Sequence, residues 1–366
     1  MLSFYLCTLV ALFDIVLSYA HYSDSGFTGH LLQKRKKSGD DNSATPVLIG
    51  DLRYRIQSQE AQDIANILLD DRGGVKSETN EYDTKPVDDV LECSAADPCC
   101  QYYFISEELT DAFLEADKQC NDMARAAIRL GFHDAGTWSQ SLADAGQDFG
   151  GADGSLALFF EDDKPENGGL FEVTELARDI YYRYDVGMAD LIQYMATHAT
   201  VSCPLGPRIR TYVGREDAVQ PAPDGLLPSV HAPADDLIAL FEDKTITPHM
   251  LTALLGAHST SKQFGVDHAK HGAPQDSTPG VWDVEYYNQT LDSYESECVF
   301  KFESDVKLAK HPRMKDEWQG FIDDQDHWNE DFAAAYLRLS LLGVNNINEL
   351  KECSKTLPPK KNRSPK

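Results

Sequence analysis

The chain has 366 residues, 42% of them apolar and 25% charged, with 24 Gly and 17 Pro. These proportions exclude a collagen, a disordered tail and a bundle of membrane helices. Acids outnumber bases 60 to 33, a net charge of −27, which argues against a nucleic-acid partner because phosphate binding needs clustered Lys and Arg.

The charge is uneven. The first 37 residues hold four bases against two acids and the last 16 hold six against one, so the body between them carries −34. Such a body repels anions and stays soluble. Residues 2–17 are mostly apolar (Leu6, Leu9, Val10, Leu12, Phe13), and Ser18-Tyr19-Ala20 offers a small-x-small cleavage site. Residues 1–20 therefore read as a secretion signal, although Asp14 interrupts the run and no base precedes it. The run is shorter than the ~20 residues a spanning helix needs, and no later segment reaches that length. The expectation is an extracellular protein with no membrane partner. Outside the cell Cys93, Cys99, Cys100, Cys120, Cys203, Cys298 and Cys353 form disulfides once Cys7 leaves with the signal, and an odd count leaves one over. No CxxC pair or Cys/His ladder indicates zinc.

Residues 21–92 read as a polar N-terminal extension rather than core, a segment open to removal as a propeptide. They hold one short amphipathic stretch (Ile64, Ile67, Leu68), and Lys34-Arg35-Lys36-Lys37 is either a dibasic processing site or a solvated charge run. From residue 93 to about 357 the apolar period is helical. Leu109, Phe113 and Ala116 begin one face, and Met123, Ala127 and Ile128 continue the pattern. Thr247-Pro248 is a helix start, hydroxyl as N-cap and Pro first inside. The helix it opens carries Leu251, Leu254, Leu255 and His258 at i, i+3, i+4 and i+7. Val/Ile/Thr alternation is scarce, so the fold is all-α. Residues 358–366 are a disordered basic tail by composition.

Three constellations carry chemistry. In Arg125-Ala-Ala-Ile-Arg129-Leu-Gly-Phe132-His133-Asp134, Arg129 and His133 stand four apart and share a helix face, with Phe132 beside them. A cation and an imidazole directed into one space mark a candidate acid–base site. Phe149-Gly-Gly-Ala-Asp153-Gly-Ser155 places a carboxylate, a hydroxyl and backbone carbonyls in one turn, and Asp134 adds a carboxylate, an oxygen set that Ca²⁺ takes. His258-Ser259 ends the apolar helix, followed by Asp276-Ser-Thr278-Pro-Gly-Val281-Trp-Asp283, a second oxygen-rich loop.

These stretches together, over residues 93 to about 357, resemble class II of the plant/fungal/bacterial haem peroxidase superfamily, the secreted fungal peroxidases. Cys93…Cys99-Cys100…Cys120, Phe302-Glu-Ser-Asp305, Glu317-Trp-Gln, Ser340-Leu-Leu-Gly and Cys353 extend the likeness. The resemblance implies two helical halves sandwiching haem b, each with a Ca²⁺ site and stapled by disulfides. It implies a monomer that reduces H₂O₂ to water through a ferryl intermediate while phenolic or aromatic donors lose single electrons at the haem edge. His258 would be the axial iron ligand, and Asp305 would accept its other ring N–H. His133 would act as the base, Arg129 would stabilise developing charge, and Asn167 would fix the His133 tautomer, with Phe132 alongside. One Ca²⁺ would take Asp134, Gly151, Asp153 and Ser155; the other would take Ser259, Asp276, Thr278, Val281 and Asp283. The implied disulfides are Cys93–Cys100, Cys99–Cys353 and Cys120–Cys203, with Cys298 left over.

Departures from that class bear on the substrate. Its manganese-oxidising members carry acids eleven and seven residues before the distal His and six after the proximal one; here those positions are Asp122, Ala126 and Phe264. A surface Trp five before the proximal His is replaced by Ala253, and Gln275 stands where an aromatic is common. The resemblance thus implies a generic, low-redox-potential peroxidase for phenols. The competing reading is a catalytically weak, Ca²⁺-stabilised secreted binding protein of the same fold; a metallohydrolase lacks any HExxH-like spacing. Asn288-Gln-Thr290 and Asn362-Arg-Ser364 are glycosylation sequons. His198 and His249 read as structural or surface residues.

Overall fold

The structure, a computed structural model, describes residues 47–69, 84–293 and 298–361. The expected signal segment, Cys7, the Lys34–Lys37 run and the Asn362 sequon lie outside those residues. The fold is all-α, with two antiparallel pairs of two-residue strands: Tyr212–Val213 with Lys351–Glu352, and Lys262–Gln263 with Ala273–Pro274.

The first helix, α1 (Gln59–Leu69), begins at Ser58, whose hydroxyl accepts from the Ala61 amide at 3.1 Å. It buries Ala61, Ile64, Ala65 and Leu68, spaced i, i+3, i+4 and i+7. Part of the expected extension is therefore core: Ile49, Leu52 and the apolar face of α1 belong to the main hydrophobic cluster. Polar clamps hold this segment to the far end of the chain. Asp51 accepts from the Ile347 amide (2.8 Å) and the Asn348 side chain (2.7 Å), and the fully buried Arg338 donates to the carbonyls of Val47 (2.8 Å) and Leu68 (2.6 Å). The composition of residues 21–92 hid this because the partners lie some 290 residues away in sequence. Ile64→Ala is expected to cost about 2–4 kcal/mol for a fully buried side chain, read as a lowered denaturation midpoint. An unchanged midpoint would show that α1 does not support the body.

The body falls into two groups of packed helices. In the first, α2 (Cys100–Phe113), α3 (Asp122–Ala135), α4 (Phe171–Tyr184) and α5 (Met188–Ser202) pack together, the α3–α5 pair most extensively. Every residue of α5 is buried, which explains its lack of a polar face. In the second, α6 (Ala234–Asp243), α7 (Pro248–Leu255), α8 (Glu285–Leu291), α9 (Glu303–Ala309), α10 (Lys315–Gly320) and α11 (Gln325–Leu339) pack together, α7 chiefly on α11. Asn121 caps α3 and Thr247 caps α7 through side-chain oxygens.

The apolar run through His258 is not one α-helix. α7 ends at Leu255, and Gly256–Thr260 tighten into a 3₁₀ turn that carries His258. A Cβ at Gly256 would stand 2.4 Å from the indole of Trp328, so only glycine lets the chain pass this ring.

Disulfides join Cys93 to Cys100, Cys99 to Cys353 and Cys120 to Cys203, the pairs the resemblance implies. The expectation for Cys298 is corrected: it is disulfide-bonded rather than left over.

Candidate active site

α3 ends with Arg129 and His133 on one face, and their side chains meet: Arg129 Nε donates to His133 Nε2 at 3.0 Å. His133 Nδ1 lies 2.7 Å from Asn167 Oδ1. The Asn167 amide is itself oriented, since its Nδ2 donates to the Glu161 carbonyl at 2.8 Å. Its oxygen therefore faces the ring, Nδ1 carries the proton and the Nε2 lone pair faces Arg129. Burial, then the Arg129 charge, lowers the His133 pKa to about 3, against the hydrogen bond it donates to Asn167, which raises it. Burial lowers Arg129 to about 10, which leaves it charged at neutral pH. Its guanidinium also donates to the carbonyls of Gly168 (2.7 Å) and Glu166 (3.0 Å). Phe132 meets the His133 ring edge-on at 5.5 Å and stacks on Phe241. A neutral imidazole base beside a fixed cation is equipped to take a proton and to stabilise an anion.

On the 3₁₀ turn after α7, His258 Nδ1 lies 2.7 Å from Asp305 Oδ2 at the start of α9. A carboxylate only accepts, so Nδ1 donates and the Nε2 lone pair points away, the form in which imidazole binds a metal. Sequence reasoning missed Tyr286, whose hydroxyl donates to the same Asp305 oxygen at 2.8 Å, while Ser304 Oγ donates to the other at 3.1 Å. No spacing signal links Tyr286 to Asp305; only the fold brings α8 against α9. The rings of Tyr286 and Phe302 stand edge-on to His258 at 5.6 and 5.4 Å.

The two oxygen-rich loops each gather their expected members. Asp134 is fully buried and accepts from the amides of Gly154 (3.1 Å) and Leu156 (3.3 Å). Asp153 Oδ1 accepts from the Ser155 amide at 3.0 Å, and the Gly151 carbonyl accepts from the Asp153 amide at 2.8 Å. The Ser155 hydroxyl is buried with no hydrogen-bond partner. Burial, then the Asp153 charge, pushes Asp134 well above the carboxylate range. Gly151 has φ 107°, and a Cβ there would stand 2.3 Å from the Leu342 carbonyl, so this turn admits only glycine. In the second loop Ser259 Oγ donates to Asp276 Oδ2 (2.8 Å) and lies 3.4 Å from the Val281 carbonyl, and Thr278 Oγ1 donates to Asp283 Oδ1 (3.0 Å). Burial, then the neighbouring Asp283, raises Asp276 to about 8. Paired buried carboxylates with hydroxyls and carbonyls around them, one hydroxyl orphaned, are a donor set that fits a hard cation.

The structure thus holds an Arg/His pair on α3 with Asn167 beside it, a carboxylate-bound His after α7 and two buried carboxylate clusters. Residues 106–324 match the family described as Peroxidase, and the chain belongs to that family. It is an oxidoreductase that takes hydrogen peroxide as its oxidant, and membership implies a haem cofactor. It is 32% identical over 281 residues to Ligninase C of Trametes versicolor, covering 71% of this chain and 75% of that protein. It is 31% identical over 278 residues to a peroxidase of Arthromyces ramosus (71% and 76%) and 29% identical over 286 residues to a versatile peroxidase of Pleurotus eryngii (73% and 76%).

Proposed function

We propose that His258 would hold a haem iron through Nε2, that Arg129, His133 and Asn167 would handle peroxide, and that small phenols supply the electrons. The haem supplies the iron at which peroxide binds and its O–O bond is reduced. His133 Nε2 accepts a proton from H₂O₂ and returns it to the departing oxygen, and the Arg129 cation offsets the negative charge that builds as the bond breaks. Asn167 keeps the Nε2 lone pair available throughout. Two phenols each lose one electron and one proton, so H₂O₂ and two phenols give two waters and two phenoxyl radicals. The observation that carries this reading is the locked tautomer of His133 beside Arg129.

The donor follows from what surrounds the site. Asp122, the one acid of the three manganese positions, already binds Arg125 and Lys262, while Ala126 and the exposed Phe264 offer no oxygen. Ala253 is fully buried, and all four tryptophans (Trp138, Trp282, Trp318, Trp328) are buried, so none serves a bulky donor at the surface. Asp134, Gly151, Asp153 and Ser155 hold one Ca²⁺, and Ser259, Asp276, Thr278, Val281 and Asp283 hold a second. Secretion as a monomer, with a sugar on the exposed Asn288, completes the proposal; no described helix is long and apolar enough to cross a membrane.

An absorption spectrum tests the reaction. A Soret band that shifts with one equivalent of H₂O₂ and recovers when a phenol is added is the expected result. A protein with no Soret band after refolding with haemin and Ca²⁺ overturns it. For the cages, prolonged EGTA is expected to lower the melting temperature and added Ca²⁺ to restore it; an unmoved midpoint would count against both sites.

A further inference from the structure

On the face of α7 where that helix begins, a second group of metal-capable side chains converges. His249 is the second residue of α7, Glu317 lies on α10, and His327 and Asp331 stand one turn apart on α11. Asp331 has 2% of its side chain exposed, Glu317 25%, His249 28% and His327 40%, so the cluster runs from the core to the surface. His249 Nε2 lies 3.2 Å from Asp331 Oδ2, and His327 Nε2 lies 3.1 Å from the same oxygen and 3.4 Å from Glu317 Oε1. His249 Nε2, Glu317 Oε1 and Asp331 Oδ2 are nevertheless buried without a hydrogen-bond partner. One ligand atom from each of His249, Glu317 and Asp331 lies within 4.8 Å of the other two.

The spacing suits a cation. Zinc held by N and O ligands at 2.0–2.1 Å in a tetrahedron separates neighbouring ligand atoms by about 3.3 Å, close to the three separations above. Both imidazoles are also supported from behind. Glu317 Oε2 stands 3.1 Å from His249 Nδ1, and His327 Nδ1 lies 3.4 Å from the Gly320 carbonyl, which only accepts. Oxygen acceptors on both Nδ1 atoms leave both Nε2 lone pairs for the centre, the arrangement usual around metal-binding histidines.

We propose that His249, Glu317 and Asp331, with His327 beside them as the outer member, form a binding site for a divalent first-row cation of the zinc type. Two imidazoles and two carboxylates favour such an ion over Ca²⁺, which takes oxygen alone. Bound there, the ion cross-links α7, α10 and α11, and so braces the helix that leads into the His258 turn. Protons compete with the metal for the same lone pairs. Metal binding therefore releases a proton and strengthens as pH rises. The site stands whether or not His258 carries haem.

The test is calorimetric titration of the Ca²⁺-saturated, full-length protein with ZnCl₂, beside H249Q, H327Q and D331N. Wild type is expected to bind one equivalent with a rise in melting temperature, and each His variant to bind about tenfold more weakly or worse. Wild-type affinity is expected to fall from about pH 7.5 to pH 5.5. His327 is the most exposed member, so H327Q keeps the test valid if D331N fails to fold. Absence of saturable binding by wild type, or equal binding by H249Q and H327Q, would overturn the proposal and leave a proton-bridged ion cluster in its place.

Discussion

His133→Ala is expected to slow the reaction with H₂O₂ by about 10²- to 10⁴-fold while the protein keeps its fold and its haem. The base contributes only to proton transfer, and the half-buried ring packs edge-on to Phe132 without anchoring the haem iron. Stopped-flow measurement of the Soret change against H₂O₂ concentration gives the rate directly; a wild-type rate in the variant would remove His133 from the mechanism. The pH dependence has a definite sign. Burial and the Arg129 charge hold the imidazole at about 3 instead of 6.5, so the base is unprotonated at any pH above about 3 and the rate falls only below it. Stability follows the same group. With the folded value depressed, its contribution is complete above about pH 6.5 and is lost as pH falls toward 3, because the unfolded chain takes up a proton that the folded one refuses. The fully buried His198, likewise lowered to about 3 by burial, acts in the same direction over the same window.

His258→Ala is expected to abolish haem retention altogether. No other described histidine combines a free Nε2 with a carboxylate on Nδ1 and two aromatic rings against its edges. The ratio of Soret to protein absorbance after gel filtration reads the loss, and a full complement of haem in the variant would place the ligand elsewhere. Tyr286→Phe separates holding from tuning. It leaves His258 as the one donor to Asp305 Oδ2, so haem stays bound while the imidazole gains anionic character. The iron(III)/iron(II) midpoint is then expected to move to lower potential, and an unmoved midpoint would make Tyr286 a packing residue only.

Much of this site was legible because helical spacing is local. Arg129 and His133 share a face by periodicity alone, and Thr247-Pro248 announces its helix through cap chemistry. The Asp305–His258 bond spans 47 residues and reached the sequence reading only through resemblance. Tyr286 had no such route, since one hydroxyl among 16 tyrosines carries no local signal. The Gly256–Thr260 turn was misread as continuing helix because the apolar period persists through it, while the geometry is set by the ring of Trp328. His249 looked like a surface residue for the same reason: its partners sit on two helices more than 60 residues further along.

The clamp between the N-terminal segment and the last helix also orders events in time. Val47, Asp51 and Leu68 emerge from synthesis long before Arg338, Ile347 and Asn348, so the segment waits with its apolar face uncovered until nearly the whole chain has been made. Contacts of such sequence separation form late and slowly. Cys99 waits in the same way for Cys353. A chain interrupted before residue 338 thus carries both His-centred groups and neither closure, with Ile64 and Leu68 left without their late partners.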